Sequence, residues 1–292
     1  MPHITVLDQS TINKIAAGEV IERPSSVVKE LLENAIDAQA TAVTVEIRDG
    51  GISYIRVTDN GCGIPKEEVP LAFLRHSTSK IKSVEDLFTV SSLGFRGEAL
   101  SSIASVAQVE LITKTSEQLS GTRYQIEGGV ERSYEEVGAP DGTTFLVRNL
   151  FYNTPARQKF LKTAQTEGSH VAALVEKIAM SHPDISIRFI QNNQNRLHTS
   201  GNHNLKDIIY TVFGREIAAN LLPVESEQEV CGLLESAGVD QVDYRAAIVN
   251  PLVRNEEMLY QLNGISMYSS TNTEVMWDFV KNMGFENLEN RF

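Results

Sequence analysis

The segment from Pro24 to Asp37 constrains the fold of this chain most strongly, because two sets of residues repeat in it with the period of a helix. Its apolar residues recur at a spacing of three to four, which is typical of one buried helical stripe. This stripe consists of Val27, Val28, Leu31, Leu32, Ala35 and Ile36. Glu30, Asn34 and Asp37 stand at positions i, i+4 and i+7 and therefore share another face. The spacing predicts an amphipathic helix over Pro24–Asp37 that presents two carboxylates and one amide together.

Three glycine-bearing segments follow this helix. They are Asp59-Asn60-Gly61-Cys62-Gly63 after a β-like run, Gly94-Phe95-Arg96-Gly97 before a helical pattern, and Gly142-Thr143 at the start of another β-like run. A carboxylate in such a turn can accept a hydrogen bond from an adenine amino group, and N–H groups at a helix N-terminus can hold phosphates. Each segment alone is common, since Asp-Asn-Gly is an ordinary turn sequence. Their order along one chain predicts a nucleotide-binding site.

The rest of the pattern alternates strands and helices. β-like runs over residues 42–48 and 54–58 flank Asp49-Gly50-Gly51, a hairpin-turn sequence. Further strands are predicted at residues 108–114, 122–127, 130–137, 143–149, 185–190 and 196–199, and helices at residues 66–73, 98–105, 156–162, 166–180 and 205–213. The polar stretch from Arg75 to Gly97 is typical of a mobile lid. We therefore expect residues 1–200 to form an α/β domain with a mixed, largely antiparallel sheet.

Missing motifs exclude several other classes of protein. The sequence contains neither a P-loop nor a dinucleotide fingerprint after an early strand. It also lacks the Gly-x-Ser-x-Gly elbow and the kinase catalytic loop. No apolar run of about 18 residues indicates a membrane span, and no signal-peptide pattern begins the chain, so we expect a cytoplasmic protein without membrane contact. Cys62 and Cys231 are far apart and predict neither a disulfide framework nor a zinc site.

The ordered set of motifs resembles the GHKL ATPases, which include gyrase-type topoisomerases, ninety-kilodalton heat-shock chaperones, sensor histidine kinases and the MutL mismatch-repair proteins. Four longer stretches resemble MutL in particular. They are IAAGEVIERP at residues 15–24, RHSTSKI at 75–81, LGFRGEAL at 93–100 and FYNTPAR at 151–157. The resemblance covers about residues 1–225. It implies a GHKL (Bergerat-type) α/β sandwich that uses ATP and Mg²⁺.

The resemblance implies a role for each matched residue. Glu30 would be the catalytic base that acts on water, and Asn34 would be the Mg²⁺ ligand, with Asp37 beside it in the nucleotide site. Asp59 would be the carboxylate that recognises adenine. The other implied nucleotide contacts are Gly61 and Gly63 beside Asp59, Thr78, Ser79 and Lys80 in the ATP lid, Gly94, Phe95, Arg96 and Gly97 in the phosphate loop, and Thr143 in the last motif.

The resemblance also implies partners. In this family ATP binding orders the lid and brings two N-terminal domains together, so we expect an ATP-dependent homodimer. A MutS-type mismatch sensor and a downstream repair nuclease or helicase would be its partners in DNA mismatch repair. Arg157, Lys159 and Lys162 place positive charge near a helix start, where they could contact DNA phosphates, pack at a domain interface or face solvent. Because the chain carries a net charge of −12, we expect DNA binding to be weak and non-specific.

The resemblance fades after about residue 225. Residues 227–292 contain four Lys or Arg and eleven Asp or Glu, so the acidic excess concentrates there. We expect residues 201–292 to form a partial or divergent second, transducer-like α/β domain, in which residues 260–266 and a helix at 272–283 echo the family pattern. The family's lysine-bearing loop that reaches the γ-phosphate is not recognisable, and we expect the C-terminal dimerisation and endonuclease region to be absent.

Three hypotheses about activity follow. The leading one is a Mg²⁺-dependent, slowly hydrolysing ATPase that acts as an ATP-gated linker in mismatch repair. The second is a nucleotide-responsive scaffold that does not hydrolyse ATP, because the second domain is incomplete. The third is another GHKL type such as a protein kinase, which the presence of Glu30 disfavours.

Overall fold

The computed structural model describes residues 8–77, 97–219, 222–224 and 247–249. The chain divides into two compact units, residues 1–204 and residues 205–292. The helices of the first unit are α1 (Gln9–Val20), α2 (Pro24–Asp37), α3 (Val69–Ala72), α4 (Ala99–Val106), α5 (Pro155–Gln158) and α6 (Ala164–Ser181). Its strands are β1 (Ala42–Arg48), β2 (Tyr54–Asp59), β3 (Gln108–Lys114), β4 (Gly121–Glu127), β5 (Val130–Val137), β6 (Gly142–Arg148), β7 (Ser186–Gln191) and β8 (Gln194–His198).

These strands form one eight-stranded sheet in the order β5-β4-β3-β6-β2-β1-β7-β8. β1 and β7 are parallel, and every other neighbouring pair in this sheet is antiparallel. The parallel pair follows from the chain path, since α6 lies between the β1–β2 hairpin and β7 and provides the crossover that parallel strands need. The predicted mixed, largely antiparallel sheet is confirmed.

One face of the sheet is buried against α2, α4 and α6. Cross-strand pairing aligns apolar residues on this face in rows, and Val57 pairs with Phe145, which in turn pairs with Leu111. All three are buried, and a buried side chain of this size contributes about 1.5–3 kcal/mol. Two residues further along the same strands, the next row becomes polar: Asp59 pairs with Thr143, and Thr143 pairs with Thr113. The sheet therefore brings three polar residues together at one end of its core.

Helix α2 begins and ends where the sequence predicts. Pro24 occupies its first turn, where a missing N–H costs nothing. Val27, Val28, Leu31, Leu32 and Ala35 are buried, and Ile36 is half-buried. The apolar stripe thus fixes α2 on the sheet and sets the direction of its polar face.

The structure differs from the sequence prediction around residues 156–162. Helix α5 ends at Gln158 and does not continue to Lys162. The N–H of Lys162 donates to Glu167 Oε1 at 2.9 Å, and the N–H of Thr166 donates to Thr163 Oγ1 at 3.2 Å. These side chains satisfy free backbone N–H groups and begin helix α6, which was predicted at residues 166–180 and which the structure starts at Ala164. Helix α1 is an element that the sequence pattern did not predict.

The second unit contains α7 (Leu205–Phe213), α8 (Arg215–Ala219), β9 (Leu222–Val224) and β10 (Ala247–Val249), and β9 pairs with β10 in antiparallel fashion. The elements predicted at residues 260–266 and 272–283 lie outside the described residues. The assignment of this unit as a partial transducer-like domain, like the proposed boundary at residue 200, stays a prediction. In the described part of the chain, no helix combines the length and apolarity needed to cross a membrane.

Candidate functional site

Helix α2 carries Glu30, Asn34 and Asp37 on a face separate from its buried stripe, and all three side chains are half-buried. The side chain of Glu30 is 24% exposed, and Lys29 Nζ lies 3.7 Å from its Oε1. Lys29 lies closer to Glu33, at 2.7 Å from Oε1. The Glu30 carboxylate therefore stays accessible to water while packing on the other side of the helix fixes its backbone.

Asp59 ends strand β2 and points into the buried end of the sheet, with 8% of its surface exposed. Its Oδ1 accepts the N–H of Gly61 at 2.8 Å and the N–H of Thr143 at 3.2 Å. Among the residues that the structure describes, no donor contacts the second oxygen, Oδ2. Burial raises the pKa of the Asp59 carboxyl above its ordinary value of 3.8, although the two N–H groups act in the opposite direction. Asp59 is thus a fixed, largely desolvated acceptor, and within the described ranges its Oδ2 meets no donor.

A buried hydroxyl network holds the strand opposite Asp59. Thr113 Oγ1 lies 3.1 Å from the carbonyl oxygen of Gly142 and 3.0 Å from Thr143 Oγ1. It also accepts the N–H of Ile64 at 2.9 Å. Thr113 therefore joins the turn after Asp59 to the start of β6, whose Thr143 N–H holds the carboxylate. Thr113 was not predicted as a site residue, although it is the one polar residue in the alternating buried set Val109, Leu111 and Thr113 of β3.

The glycines predicted near Asp59 are required by close approaches of the backbone. A β-carbon at Gly61 would lie 2.7 Å from the carbonyl oxygen of Ala38, so only glycine lets this turn contact the end of α2. Gly63 has a φ of +72°, and a β-carbon there would overlap the carbonyl of Lys114. The N–H of Cys62 donates to the carbonyl oxygen of Ala38 at 3.0 Å. The turn and the C-terminal end of α2 are therefore one continuous surface.

Asn60 gives this surface a second attachment, which sequence analysis did not assign. Its Oδ1 accepts the N–H groups of Thr41 and Ala42, both at 2.9 Å, and its Nδ2 donates to Thr41 Oγ1 at 2.8 Å. This pattern explains Asn at the middle of the Asp-Asn-Gly turn, because an amide offers both an acceptor and a donor. Asn60 is therefore a structural residue that orients the turn.

Of the residues predicted to bind phosphate, Gly97 lies within the described part of the chain. Gly97 has a φ of +63°, and a β-carbon there would lie 2.6 Å from the carbonyl oxygen of Ser77. His76 Nδ1 lies 3.1 Å from Glu98 Oε1, next to the start of α4. The chain positions on either side of residues 78–96 are therefore adjacent. The other predicted contacts of this region, Thr78, Ser79, Lys80, Gly94, Phe95 and Arg96, lie outside the described residues.

The sheet order, the polar face of α2 and the buried aspartate define the class of the histidine kinase-, DNA gyrase B- and HSP90-like ATPases, and residues 21–140 match the model of that family. A DNA mismatch repair protein MutL from Agathobacter rectalis is 70% identical over 229 residues, which cover 78% of this chain and 35% of that protein. The chain belongs to the MutL family, and the resemblance predicted from its sequence is confirmed.

Other relatives agree with this assignment. MutL from Thermoanaerobacter pseudethanolicus is 47% identical over 244 residues, covering 84% of this chain and 40% of that protein. The solved structure of the Aquifex aeolicus MutL ATPase domain complexed with ADP has a TM-score of 0.53 and 35% identity, covering 66% of this chain and 70% of that chain. The chain thus spans 35–40% of the length of these two curated relatives. The predicted GHKL fold is confirmed for the region with the eight-stranded sheet.

Proposed function

We propose that this chain binds ATP together with Mg²⁺, hydrolyses it slowly, and acts as an ATP-gated linker in DNA mismatch repair. The observation that carries the proposal is the state of Asp59. Its Oδ1 accepts two backbone N–H groups, while Oδ2 of this 8%-exposed residue meets no donor among the described residues. Such an acceptor favours a ligand that brings an N–H group.

Adenine fits this acceptor better than guanine does. The exocyclic amino group of adenine can donate to Oδ2, whereas guanine presents a carbonyl oxygen at the same position. Two acceptors facing each other in a buried place leave both unsatisfied, at a cost of about 1–3 kcal/mol. Gly61 and Gly63 let the turn pack directly against the end of α2 and against Lys114, which fixes the backbone beside the carboxylate. Asp59 is therefore proposed to select ATP over GTP.

Glu30 is proposed as the general base. It stands one helical turn from Asn34 on the polar face of α2, it is partly exposed, and its backbone is fixed by the buried stripe. Its carboxylate would accept a proton from the water that attacks the γ-phosphate, a contribution of about 10²–10⁴-fold in rate. Positioning by a packed helix keeps the base in place without desolvating it fully.

Asn34 fits the proposed Mg²⁺ contact because its amide oxygen is a hard donor on the same face. In the described ranges no group of three or more His, Cys, Asp or Glu could hold a metal ion by itself. Mg²⁺ takes few protein ligands and shares its shell with phosphates and water, so a single amide oxygen can serve as its protein contact. When bound, the ion would offset phosphate charge. Asp37, one turn further on and beside Ala38, is proposed to orient the nucleotide where α2 meets the turn.

The remaining site residues are proposed to bind the triphosphate. Gly97 and the N–H groups at the start of α4 would contact the terminal phosphates, together with Gly94, Phe95 and Arg96. Thr78, Ser79 and Lys80 are proposed as the lid contacts. Thr143 has a described role already, since its N–H holds Asp59.

The partners belong to the same proposal. The relatives are named DNA mismatch repair proteins, and one solved relative is an ATPase domain complexed with ADP. On this basis we propose that the chain forms an ATP-dependent homodimer and contacts DNA weakly and without sequence specificity. We further propose that it cooperates with a MutS-type sensor and a downstream nuclease or helicase. A scaffold that does not hydrolyse ATP is the second candidate, because the sequence after about residue 225 shows no recognisable lysine loop.

A single-turnover experiment with γ-labelled ATP tests the proposal. The 292-residue chain is mixed with limiting ATP in the presence of Mg²⁺ or of a chelator, and bound nucleotide, free phosphate and labelled protein are measured. We expect Mg²⁺-dependent binding and slow phosphate release. Binding without release supports the scaffold, label on the protein supports a kinase, and lack of ATP affinity refutes the nucleotide site.

A further inference from the structure

The backbone conformation of Gly18, in helix α1, does not require glycine. It lies inside the helix and its φ is not in the left-handed region. Glycine at such a position is unfavourable compared with alanine, because it costs more backbone entropy. A spatial reason is present instead: a β-carbon at Gly18 would overlap the guanidinium group of Arg157. The side chain of Arg157 thus occupies the space that any other residue at position 18 would fill.

Arg157 also bonds to the helix at this position. Its Nη1 donates to the carbonyl oxygen of Gly18 at 3.0 Å, near the C-terminal end of α1. A positive charge is favourable there because the last carbonyl groups of a helix carry partial negative charge. Arg157 is half-buried, whereas Lys159 and Lys162 are exposed. Arg157 is therefore distinct from the two lysines with which sequence analysis grouped it.

The segment that carries Arg157 is attached to helix α4. The N–H of Phe151 donates to the carbonyl oxygen of Val106 at 2.8 Å, and Asn153 Nδ2 donates to the carbonyl oxygen of Ser105 at 2.9 Å. Phe151 is fully buried. We call residues 151–157 the anchor segment. It is fixed to the C-terminal end of α4 and reaches the end of α1 through Arg157.

Helix α1 packs against α4, and α4 begins beside Gly97, the last residue of the proposed phosphate loop. Arg75 Nη2 lies 3.5 Å from the carbonyl oxygen of Asn13, a weaker contact to the same helix α1. Helix α1 therefore contacts the chain on both sides of residues 78–96. Because α1 packs against α4, loosening of α1 changes the support of α4, which begins at the proposed phosphate loop.

We infer that Arg157 is a positioning residue that holds α1 against α4 and thereby fixes the terminal-phosphate end of the nucleotide site. The inference rests on the proposed nucleotide site, and it assigns Arg157 to this contact and not to DNA. Loss of the Arg157 contact should affect the γ-phosphate contacts at the start of α4. It should not affect the adenine contact of Asp59, which lies on another element. ATP and ADP affinities should therefore respond differently.

The test measures ATP-analogue and ADP affinity for the 292-residue chain and its variants by equilibrium binding. We expect Arg157→Ala to lower the affinity for the non-hydrolysable ATP analogue by about fivefold or more. A change of about fivefold is the lower end of typical coupling between two sites. ADP affinity should change by less than about twofold, because it lacks the γ-phosphate. Arg157→Lys should recover part of the loss. Lys159→Ala, which removes the same charge from an exposed neighbouring position, is the matched control and should leave both affinities unchanged.

A thermal-unfolding cycle tests the contact without nucleotide. Gly18→Ala should lower the unfolding midpoint of the wild type, because its methyl group displaces Arg157. In the Arg157→Ala background the same change should raise the midpoint, because alanine favours the helix and the clash is gone. Gly138→Ala, at a glycine with no neighbour within 4 Å, is the control and should behave identically in both backgrounds.

The outcomes separate the two proposals. A wild type that binds neither nucleotide refutes the proposed function, and the unfolding cycle still decides whether the contact exists. Wild-type binding combined with parallel losses of ATP-analogue and ADP affinity in Arg157→Ala overturns the positioning role. The same sign of the Gly18→Ala effect in both backgrounds overturns the contact itself.

Discussion

Replacing Asp59 by Asn separates the two functions of this carboxylate. Asn keeps an oxygen at the position of Oδ1, where it can still accept the N–H groups of Gly61 and Thr143. At the position of Oδ2 it places an NH₂ group, which faces the amino group of adenine as a second donor. The fold should therefore survive, while the bond to adenine is lost.

The magnitude follows from the type of bond. A hydrogen bond to a charged group contributes about 1.5–3 kcal/mol, which corresponds to a loss of about 10- to 150-fold in ATP affinity. GTP should lose little, since its carbonyl oxygen can accept from the new NH₂ group. The preference for ATP over GTP should therefore narrow or reverse in Asp59→Asn.

The same substitution should not destabilise the protein at neutral pH. Burial raises the pKa of Asp59 in the folded state, so the folded chain binds this proton more tightly than the unfolded chain. The contribution of Asp59 to stability is then largest below the unfolded pKa and is lost as the pH rises through the folded pKa. Asn carries no charge to desolvate, and the unfolding midpoint of Asp59→Asn near pH 7 should equal or exceed that of the wild type. ATP affinity of the wild type should fall as acidification protonates Asp59, beginning above pH 3.8.

The assay is competition of ATP and GTP against a fluorescent ATP analogue, with thermal unfolding of the same samples. Asp141→Asn is the matched control, because Asp141 is an exposed aspartate two positions from Thr143 and its side chain is 55% exposed. ATP affinity of Asp59→Asn within about threefold of the wild type would contradict the adenine contact, because it falls below the smallest loss expected. Loss of affinity together with a large fall in the unfolding midpoint would show that Asp59 is structural.

Two further predictions concern the same site. Glu30→Ala should retain ATP binding while its single-turnover hydrolysis rate falls about 10²–10⁴-fold. Equal losses of ATP affinity and of hydrolysis rate would show that Glu30 is structural. Thr113→Val should weaken ATP binding and lower the unfolding midpoint, because the Ile64 N–H loses its acceptor. Thr113→Ser keeps the hydroxyl and should restore both ATP binding and the midpoint. If Thr113→Val and Thr113→Ser behave alike, the hydroxyl of Thr113 does not hold this turn.

Elements whose bounds were predicted correctly are those that depend on local sequence signals. The bounds of α2, β1 and β5 match the predicted ones, because each follows from side-chain periodicity over a few residues. Helix α5 is shorter than predicted, since the caps of the next helix depend on side-chain bonds and not on periodicity. The Asp-Gly-Gly turn was placed correctly between β1 and β2, where it forms a 3₁₀ turn with Gly50 at a φ of +67°.

The sequence by itself determined the family, the α/β class and the polar face of α2, because motifs and periodicity are properties of neighbouring residues. Only the tertiary structure decided how Asp59 is held, since Thr143 is 84 positions away and meets it through strand pairing. The same holds for Thr113 and for the contact of Arg157 with Gly18, 139 positions apart. Distant pairs such as these arise from sheet register and helix packing, which no local pattern encodes.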